Sequence, residues 1–425
     1  MLRAGQLTER SSPVRAVVFS GGGARGAYEA GVLRFILDEL PKRLGHPVRF
    51  DLVSGTSVGA IHACYLAASA HQEEHRGERL ANIWRSFKLE EVLPLSNTDL
   101  LRLPARLLGL RLRANDLSAR PLPDRLYGLL DTTRLSEVVQ RSIGWRSIHR
   151  NVDEGRLRAV CVAATQVVTG KTIVFVESRE QTITRWTREP GVIPRPARLS
   201  ASHALASAAI PILFPAVRIG STYYADGGLR LNTPLMPVVY LGADRVLVIG
   251  LSRKGSEADD AARAERRIEA YGNAIFMFGK VLNALLLDHV DTDLARMRLV
   301  NDILRSGETA FGPEFLGRLN AASEVQRGQR FRRIDDLVIR PSVGLGALAG
   351  QVLENKRGEK SVAPLLRLSL RLLGSGGPAS EADLLSYLLF DRAYAGPAVD
   401  LGFADARARE EELLRFFSDT PMGSS

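Results

Sequence analysis

The sequence predicts an α/β protein with a mainly parallel sheet and helices on its faces. Two observations carry that expectation. Val14–Ser20 is a short apolar run rich in β-branched residues. It is followed by a glycine-rich turn, Gly21–Gly26, and then by Ala27–Leu40, where apolar residues recur with helical period. The same order then repeats. Val48–Ser54 reads as a strand, Gly55–Gly59 as a turn and Ala60–Ala70 as a helix of small residues. Parallel strands need crossover connections, and a repeated strand–turn–helix unit supplies them.

Later strands are expected at Arg158–Ala164, Thr172–Glu177 and Arg245–Gly250. The polar stretch Leu251–Ala261 marks a boundary. Beyond it the pattern is mainly helical: Ala262–Asn301, a less regular region to about Gly350, then Ala382–Tyr394 and Ala406–Phe417, with Ser380 and Asp383 as an N-cap pair. The expected division is a flexible N-terminus (1–13), an α/β domain (14–252) and a mainly helical C-terminal region (253–425).

At 425 residues, 45 % hydrophobic and 24 % charged, the chain has ordinary globular composition and is long enough to bury a large core. Its net charge of +10 lies entirely in the front half, where residues 1–251 hold 33 basic and 22 acidic side chains. Such a surface attracts anionic partners, lipid headgroups or nucleic acid. Only seven of the 57 basic residues are lysine, however, and arginine dominance also follows from a base-composition bias. No zinc-finger, RRM or helix-turn-helix signature accompanies the charge, so nucleic acid is not expected as a partner. Cys64 and Cys161 each lie in an apolar stretch and read as small buried hydrophobes, which favours a reducing compartment. No apolar h-region opens the chain, so no secretory signal peptide is expected. The uncharged run Leu199–Val217 approaches a membrane span in length, but Pro211, Pro215, His203 and three serines suit a buried segment with a turn. No transmembrane helix is expected; the expected location is cytoplasmic, with peripheral contact at a membrane.

Three motifs carry chemistry. Gly55-Thr-Ser57-Val-Gly59 fits G-x-S-x-G between a strand and a helix, where a serine sits on a sharp strained turn with its hydroxyl presented. Gly55 and Gly59 leave room at that bend, and the following helix N-terminus favours developing negative charge. Gly21-Gly22-Gly23-Ala24-Arg25-Gly26 also fits the dinucleotide fingerprint G-x-G-x-x-G. That rival expects an acidic residue at the end of the second strand, whereas Asp51 lies near its start. In a hydrolase the same glycines leave backbone N–H groups free for an oxyanion, with Arg25 adding positive charge. The third motif is Tyr224-Ala-Asp226-Gly-Gly-Leu229, which alone reads as a turn.

Taken together and in order, GGGARGAYEAGVL (21–33), GTSVGA (55–60), ASAAIPILFPAV (206–217), DGGL (226–229), Asn232 with Pro234, and LGADRVLVIGLS (241–252) resemble the patatin-like phospholipase family over about residues 14–252. The resemblance implies a three-layer α/β/α sandwich and a Ser–Asp dyad. It makes Ser57 the nucleophile and Asp226 the base. The loop Gly22, Gly23, Ala24, Arg25 and Gly26 would form the oxyanion hole, with no metal and no cofactor. It implies a serine lipid acyl hydrolase acting on phospholipids or other ester lipids at a membrane surface. A catalytically idle lipid- or partner-binding module, and an acyltransferase using the same dyad, stay open as alternatives. A triad in the chain order Ser…Asp…His would require His289; His62 reads as a packed side chain and His203 has no assigned role. Leu100–Arg113 is a basic, leucine-rich stretch suited to a lid or a membrane-surface helix. SYLLFDRAYAGPAVDLGFADA (386–406) resembles the final segment of many bacterial patatin-like proteins, which implies a helical extension covering the core.

Overall fold

The computed structural model describes residues 12–92, 124–125, 128, 130–180, 191–253, 290–327, 330–356 and 386–419. The repeated unit expected from the sequence is present. β1 (Arg15–Phe19) leads through a 3-10 turn (Gly23–Arg25) into α1 (Gly26–Arg34), which continues through a π turn (Phe35–Glu39) into α2 (Leu40–Leu44). The helix widens just before Pro41, which has no N–H to give to Leu37. β2 (Leu52–Thr56) then leads into α3 (Val58–Ala68), α4 (Arg76–Arg85) and α5 (Leu89–Val92). The expected second strand began at Val48. It starts at Leu52 because the Asp51 carboxylate first takes the Arg15 N–H at 2.9 Å, and it runs on into Gly55 and Thr56.

The next elements are α6 (Thr133–Ser142), α7 (Trp145–Asp153), β3 (Ala159–Gln166), β4 (Thr172–Ser178) and β5 (Val192–Pro196). Then come α8 (Ala201–Ser207), β6 (Val217–Ile219), β7 (Thr222–Asp226), α9 (Leu235–Tyr240) and β8 (Arg245–Ile249). The C-terminal part holds α10 (Val290–Phe311), α11 (Phe315–Arg327), β9 (Asp335–Ile339), α12 (Leu345–Lys356), α13 (Arg392–Ala408) and α14 (Glu410–Phe417).

The sheet order is β5-β4-β3-β2-β1-β8-β9, with β7 pairing both β3 and β6. Strands β3, β2, β1, β8 and β9 run parallel, and β4 and β7 run antiparallel to β3. β1, β2 and β8 are buried almost throughout, as a sheet covered on both faces requires. One apolar cluster joins α1, α3, α4 and α13 to one face. A smaller one joins α9 and α10 to the other. The uncharged segment Leu199–Val217 forms α8 and a turn packed on this body, mostly buried, with Ser202 and Ile212 exposed. No described helix is long and apolar enough to cross a membrane. Both cysteines are free and buried.

Two features of the C-terminal region differ from the expectation. It supplies a strand, since β9 pairs along all five residues with β8 and so crosses the expected division at 252/253. The expected helix Ala382–Tyr394 is interrupted: a helical turn at 386–388 breaks at Leu389 and Phe390, and Asp391 caps α13 by accepting the Ala393 N–H at 2.9 Å. The Ser380–Asp383 pair, most of Ala262–Asn301 and Leu100–Arg113 lie outside the described residues. α13 runs through Gly396, Pro397 and Gly402 and crosses α1 with the backbones in contact. A Cβ on Gly31 would lie 1.9 Å from the Val399 carbonyl oxygen, and one on Gly402 2.0 Å from that of Tyr28.

This crossing makes a paired prediction. Gly402→Ala forces the helices apart and lowers stability by about 2 kcal/mol or more. Gly317→Ala, in α11 with open space around it, raises stability by roughly 0.5–1 kcal/mol. Thermal melts of the two variants check the opposite signs.

Candidate active site

Ser57 stands alone between the end of β2 and the start of α3, at φ 57° and ψ −125°. A non-glycine residue in such a conformation costs on the order of 1–3 kcal/mol and persists where its surroundings fix it. Here the Ser57 N–H donates to the Ser207 hydroxyl at 2.8 Å, and that hydroxyl donates to the Ala163 carbonyl at 2.6 Å. The bend also needs its two glycines. A Cβ on Gly55 would sit 2.1 Å from the Gly59 carbonyl oxygen, and one on Gly59 2.7 Å from the Phe19 backbone.

The sheet itself brings Asp226 to this serine. β4 occupies one edge of β3. The other edge is shared by β2, which ends with Thr56 opposite Ala163, and β7, whose Asp226 stands opposite Ala164. Consecutive β3 residues therefore hold the elbow and the carboxylate side by side. Ser57 Oγ donates to Asp226 Oδ2 at 2.7 Å, and the Gly228 N–H donates to Asp226 Oδ1 at 2.7 Å. The backbone is fixed as well: the Asp226 N–H donates to the Ala209 carbonyl, and Thr165 Oγ1 donates to the Asp226 carbonyl at 2.9 Å. Asp226 is fully buried and Ser57 is 5 % exposed. Burial pushes the Asp226 carboxyl up to about 7, against the lowering effect of the Ser57 and Gly228 hydrogen bonds.

The glycine loop lies against the elbow. A Cβ on Gly21 would come within 3.1 Å of Ser57 Cβ. Asn232 grips the same glycine: the Gly21 N–H donates to the Asn232 carbonyl at 3.0 Å, and Asn232 Nδ2 donates to the Gly21 carbonyl at 3.4 Å. Within the loop the Arg25 N–H donates to the Gly22 carbonyl and the Gly26 N–H to that of Gly23. The N–H groups of Gly22 and Gly23 donate to no partner among the described residues. Arg25 is engaged within the protein. Its N–H is committed to the turn, and its guanidinium goes to Ser386 Oγ (2.7 Å) and lies 4.0 Å over the Tyr387 ring.

The histidines have other work. His62 lies buried between Glu29, 2.6 Å from its Nδ1, and the Trp84 indole N–H, which donates to Nε2 at 3.0 Å. Burial holds its pKa down to about 3, so the ring is neutral and Nδ1–H donates to Glu29. It is the packed side chain that its place on the helix after Ser57 suggests. His203 forms a capping pair with Ser200 at the start of α8, and burial lowers it to about 4. His289 lies outside the described residues. An apolar cavity opens beside Ser57 and Gly23, enclosing about 650 Å³ with its mouth. Its walls include Ile61, Trp84, Phe87, Ile143, Phe214 and Phe390. The supports that sequence reasoning did not single out are Ser207, inside the ASAAIPILFPAV segment, and Thr165; Ser386–Phe390 opens the segment read as covering the core, and its contact with the glycine loop comes from the structure.

A serine on a strand–helix elbow, hydrogen-bonded to a buried aspartate, sits in an α/β sandwich with a mainly parallel sheet. Residues 17–239 match the patatin-like phospholipase family, and the chain belongs to it. Among curated proteins, it is 31 % identical over 223 residues to a cGAMP-activated phospholipase of Pseudomonas aeruginosa (strain BWHPSA011 / Pa011), covering 51 % of this chain and 53 % of the relative. It is 27 % identical over 230 residues to a cGAMP-activated phospholipase of Escherichia coli (strain TW11681), covering 52 % and 53 %. The chain thus spans about half the length of these relatives. Among solved structures, human GIVD cytosolic phospholipase A2 aligns with a TM-score of 0.37 at 13 % identity, over 98 % of this chain and 60 % of that one.

The raised Asp226 pKa predicts a stability effect with a definite sign. The folded state keeps the proton up to about pH 7, whereas a free aspartate loses it near the ordinary 3.8. Between those values the folded state binds more protons, so stability falls as pH rises from about 4 to 7. Asp226→Asn removes this dependence. In melts at pH 8 it is more stable than the unmodified protein, and the gain shrinks towards pH 5. A gain that stays constant with pH contradicts the assignment.

Proposed function

We propose that this chain is a serine lipid acyl hydrolase of the phospholipase A or esterase type, with Ser57 as nucleophile and Asp226 as its base. The observation that carries the reading is the 2.7 Å Ser57 Oγ–Asp226 Oδ2 hydrogen bond at the wall of an apolar cavity. An acyl chain lies along the Trp84, Phe87 and Phe390 wall and presents its ester carbonyl to Ser57. Asp226 takes the hydroxyl proton as Oγ attacks the carbonyl carbon. The carbonyl oxygen becomes an oxyanion, held by the free N–H groups of Gly22 and Gly23 and favoured by the N-terminus of α3. Collapse of the tetrahedral intermediate breaks the ester C–O bond, and Asp226 returns its proton to the departing alcohol, a lysolipid when the substrate is a phospholipid. Water then attacks the Ser57 ester, losing its proton to Asp226; the acyl–Oγ bond breaks, the fatty acid leaves, and Asp226 returns the proton to Ser57 Oγ. The basic front half suits an anionic lipid surface.

The names of the relatives supply a regulatory reading. A chain that shares about half its length with cGAMP-activated phospholipases is itself a candidate for activation by a cyclic dinucleotide.

The test is fatty-acid release from mixed anionic phospholipid vesicles and from a soluble ester, with and without cGAMP. The unmodified protein releases fatty acid, and Ser57→Ala and Asp226→Asn each lower kcat at least about a thousandfold, the scale of an activated nucleophile and its base. Since the base must be ionised, kcat/KM falls as pH drops through about 7. Activity that survives both substitutions, or a flat profile from pH 5 to 8, contradicts the reading.

A further inference from the structure

The glycine loop that faces Ser57 is held from two sides, and the second side comes from the far end of the chain. On the first side Asn232 grips Gly21. On the second, the strap Ser386–Phe390 lies against Gly23 and Arg25. Gly23, at φ +55°, approaches this strap so closely that a Cβ would lie 2.2 Å from the Tyr387 carbonyl oxygen. Arg25 Nε donates to Ser386 Oγ at 2.7 Å, its Cζ lies 4.0 Å over the Tyr387 ring, and Nη1 donates to the Tyr387 hydroxyl at 3.3 Å. All three side chains are buried. The strap is anchored in turn. Phe390 stacks on Trp84 with ring planes 12° apart, and the Arg392 N–H donates to the Phe87 carbonyl at 2.8 Å.

We propose that Tyr387 is a positioning residue of the hydrolase, acting through Arg25 to hold the Gly22–Gly23 N–H groups where the oxyanion forms. The inference rests on the reading of Ser57 and Asp226 given above and extends it to a residue outside the matched family segment. The loop's first glycine is tied to Asn232, and the N–H groups of Gly22 and Gly23 are left for the substrate. The turn that orients them ends at Arg25, so the placement of the Arg25 side chain sets the placement of the turn. A buried guanidinium lying over a ring is a stiff contact with a defined geometry. A displacement near 1 Å at such a site costs up to about a hundredfold in rate. Because the loop stabilises charge that exists only in the transition state, its misplacement lowers kcat and leaves KM nearly unchanged. Arg25 is accordingly an anchor of the loop, not a charge directed at the oxyanion.

The test is steady-state kinetics on a soluble short-chain ester, which does not depend on vesicle docking, with a thermal melt of each variant. Tyr387→Ala lowers kcat about ten- to a hundredfold, with KM changed by less than about threefold. Tyr387→Phe keeps the ring beneath Arg25 and restores most of the loss. Arg25→Lys, which keeps charge but not the planar group, behaves like Tyr387→Ala; it also serves as the second variant if Tyr387→Ala folds poorly. The proposal is overturned by a kcat within twofold of the unmodified value in folded Tyr387→Ala or Arg25→Lys, by a rise in KM at constant kcat, or by failure of Tyr387→Phe to recover. An inactive unmodified protein, or a Ser57→Ala variant that keeps its activity, overturns the underlying reading and this inference with it.

Discussion

The site depends on one shared strand edge. β2 and β7 both pair with the same side of β3, one ending where the other begins, so a serine from residue 57 and a carboxylate from residue 226 meet without a connecting loop of their own. Everything else serves that junction. The strained backbone at Ser57 is pinned by the Ser207 hydroxyl, which ties it back to Ala163 on β3, and the Asp226 backbone is pinned by Thr165 on the same strand. A β3 register shift of one residue would turn these contacts to the wrong face of the sheet.

Burial gives the junction its chemistry and its cost. A carboxylate in water is a weak base because its pKa lies far below neutrality. Enclosed with one hydroxyl and one N–H as hydrogen-bond donors, Asp226 is lifted to about 7. A carboxyl at that value exchanges its proton near neutral pH. The two-layered covering of the sheet offsets that cost. The two rings close to the site, His62 and His203, are held neutral by burial and bonded elsewhere.

Much of this was legible in the sequence because it is local. β1, β2, β3, β4 and β8 follow from apolar runs, the elbow from G-x-S-x-G, and the Ser57–Asp226 pairing from a resemblance spread over several segments. What stayed hidden is non-local or disguised. β9 begins with two aspartates inside a region of helical character, and its strand identity comes from pairing with β8. β5 holds Pro194 and Pro196, residues that argue against a strand except at an edge, which is where it lies. α13 carries Gly396, Pro397 and Gly402 inside it. Of these, Gly402 is there because the α1 backbone passes too close for any side chain. The partner of Arg25 lies 361 residues away, beyond the reach of any local pattern.

The central claim is that Ser57 is a nucleophile made reactive by Asp226. The most direct measurement is covalent trapping: reaction with an alkyl fluorophosphonate at pH values from 5 to 9, followed by peptide mass mapping. The account predicts one adduct, on Ser57, formed at a rate that climbs through about pH 7 and collapses in Asp226→Asn. An adduct on another residue, or a Ser57 rate that is indifferent to pH and to Asp226, would contradict it.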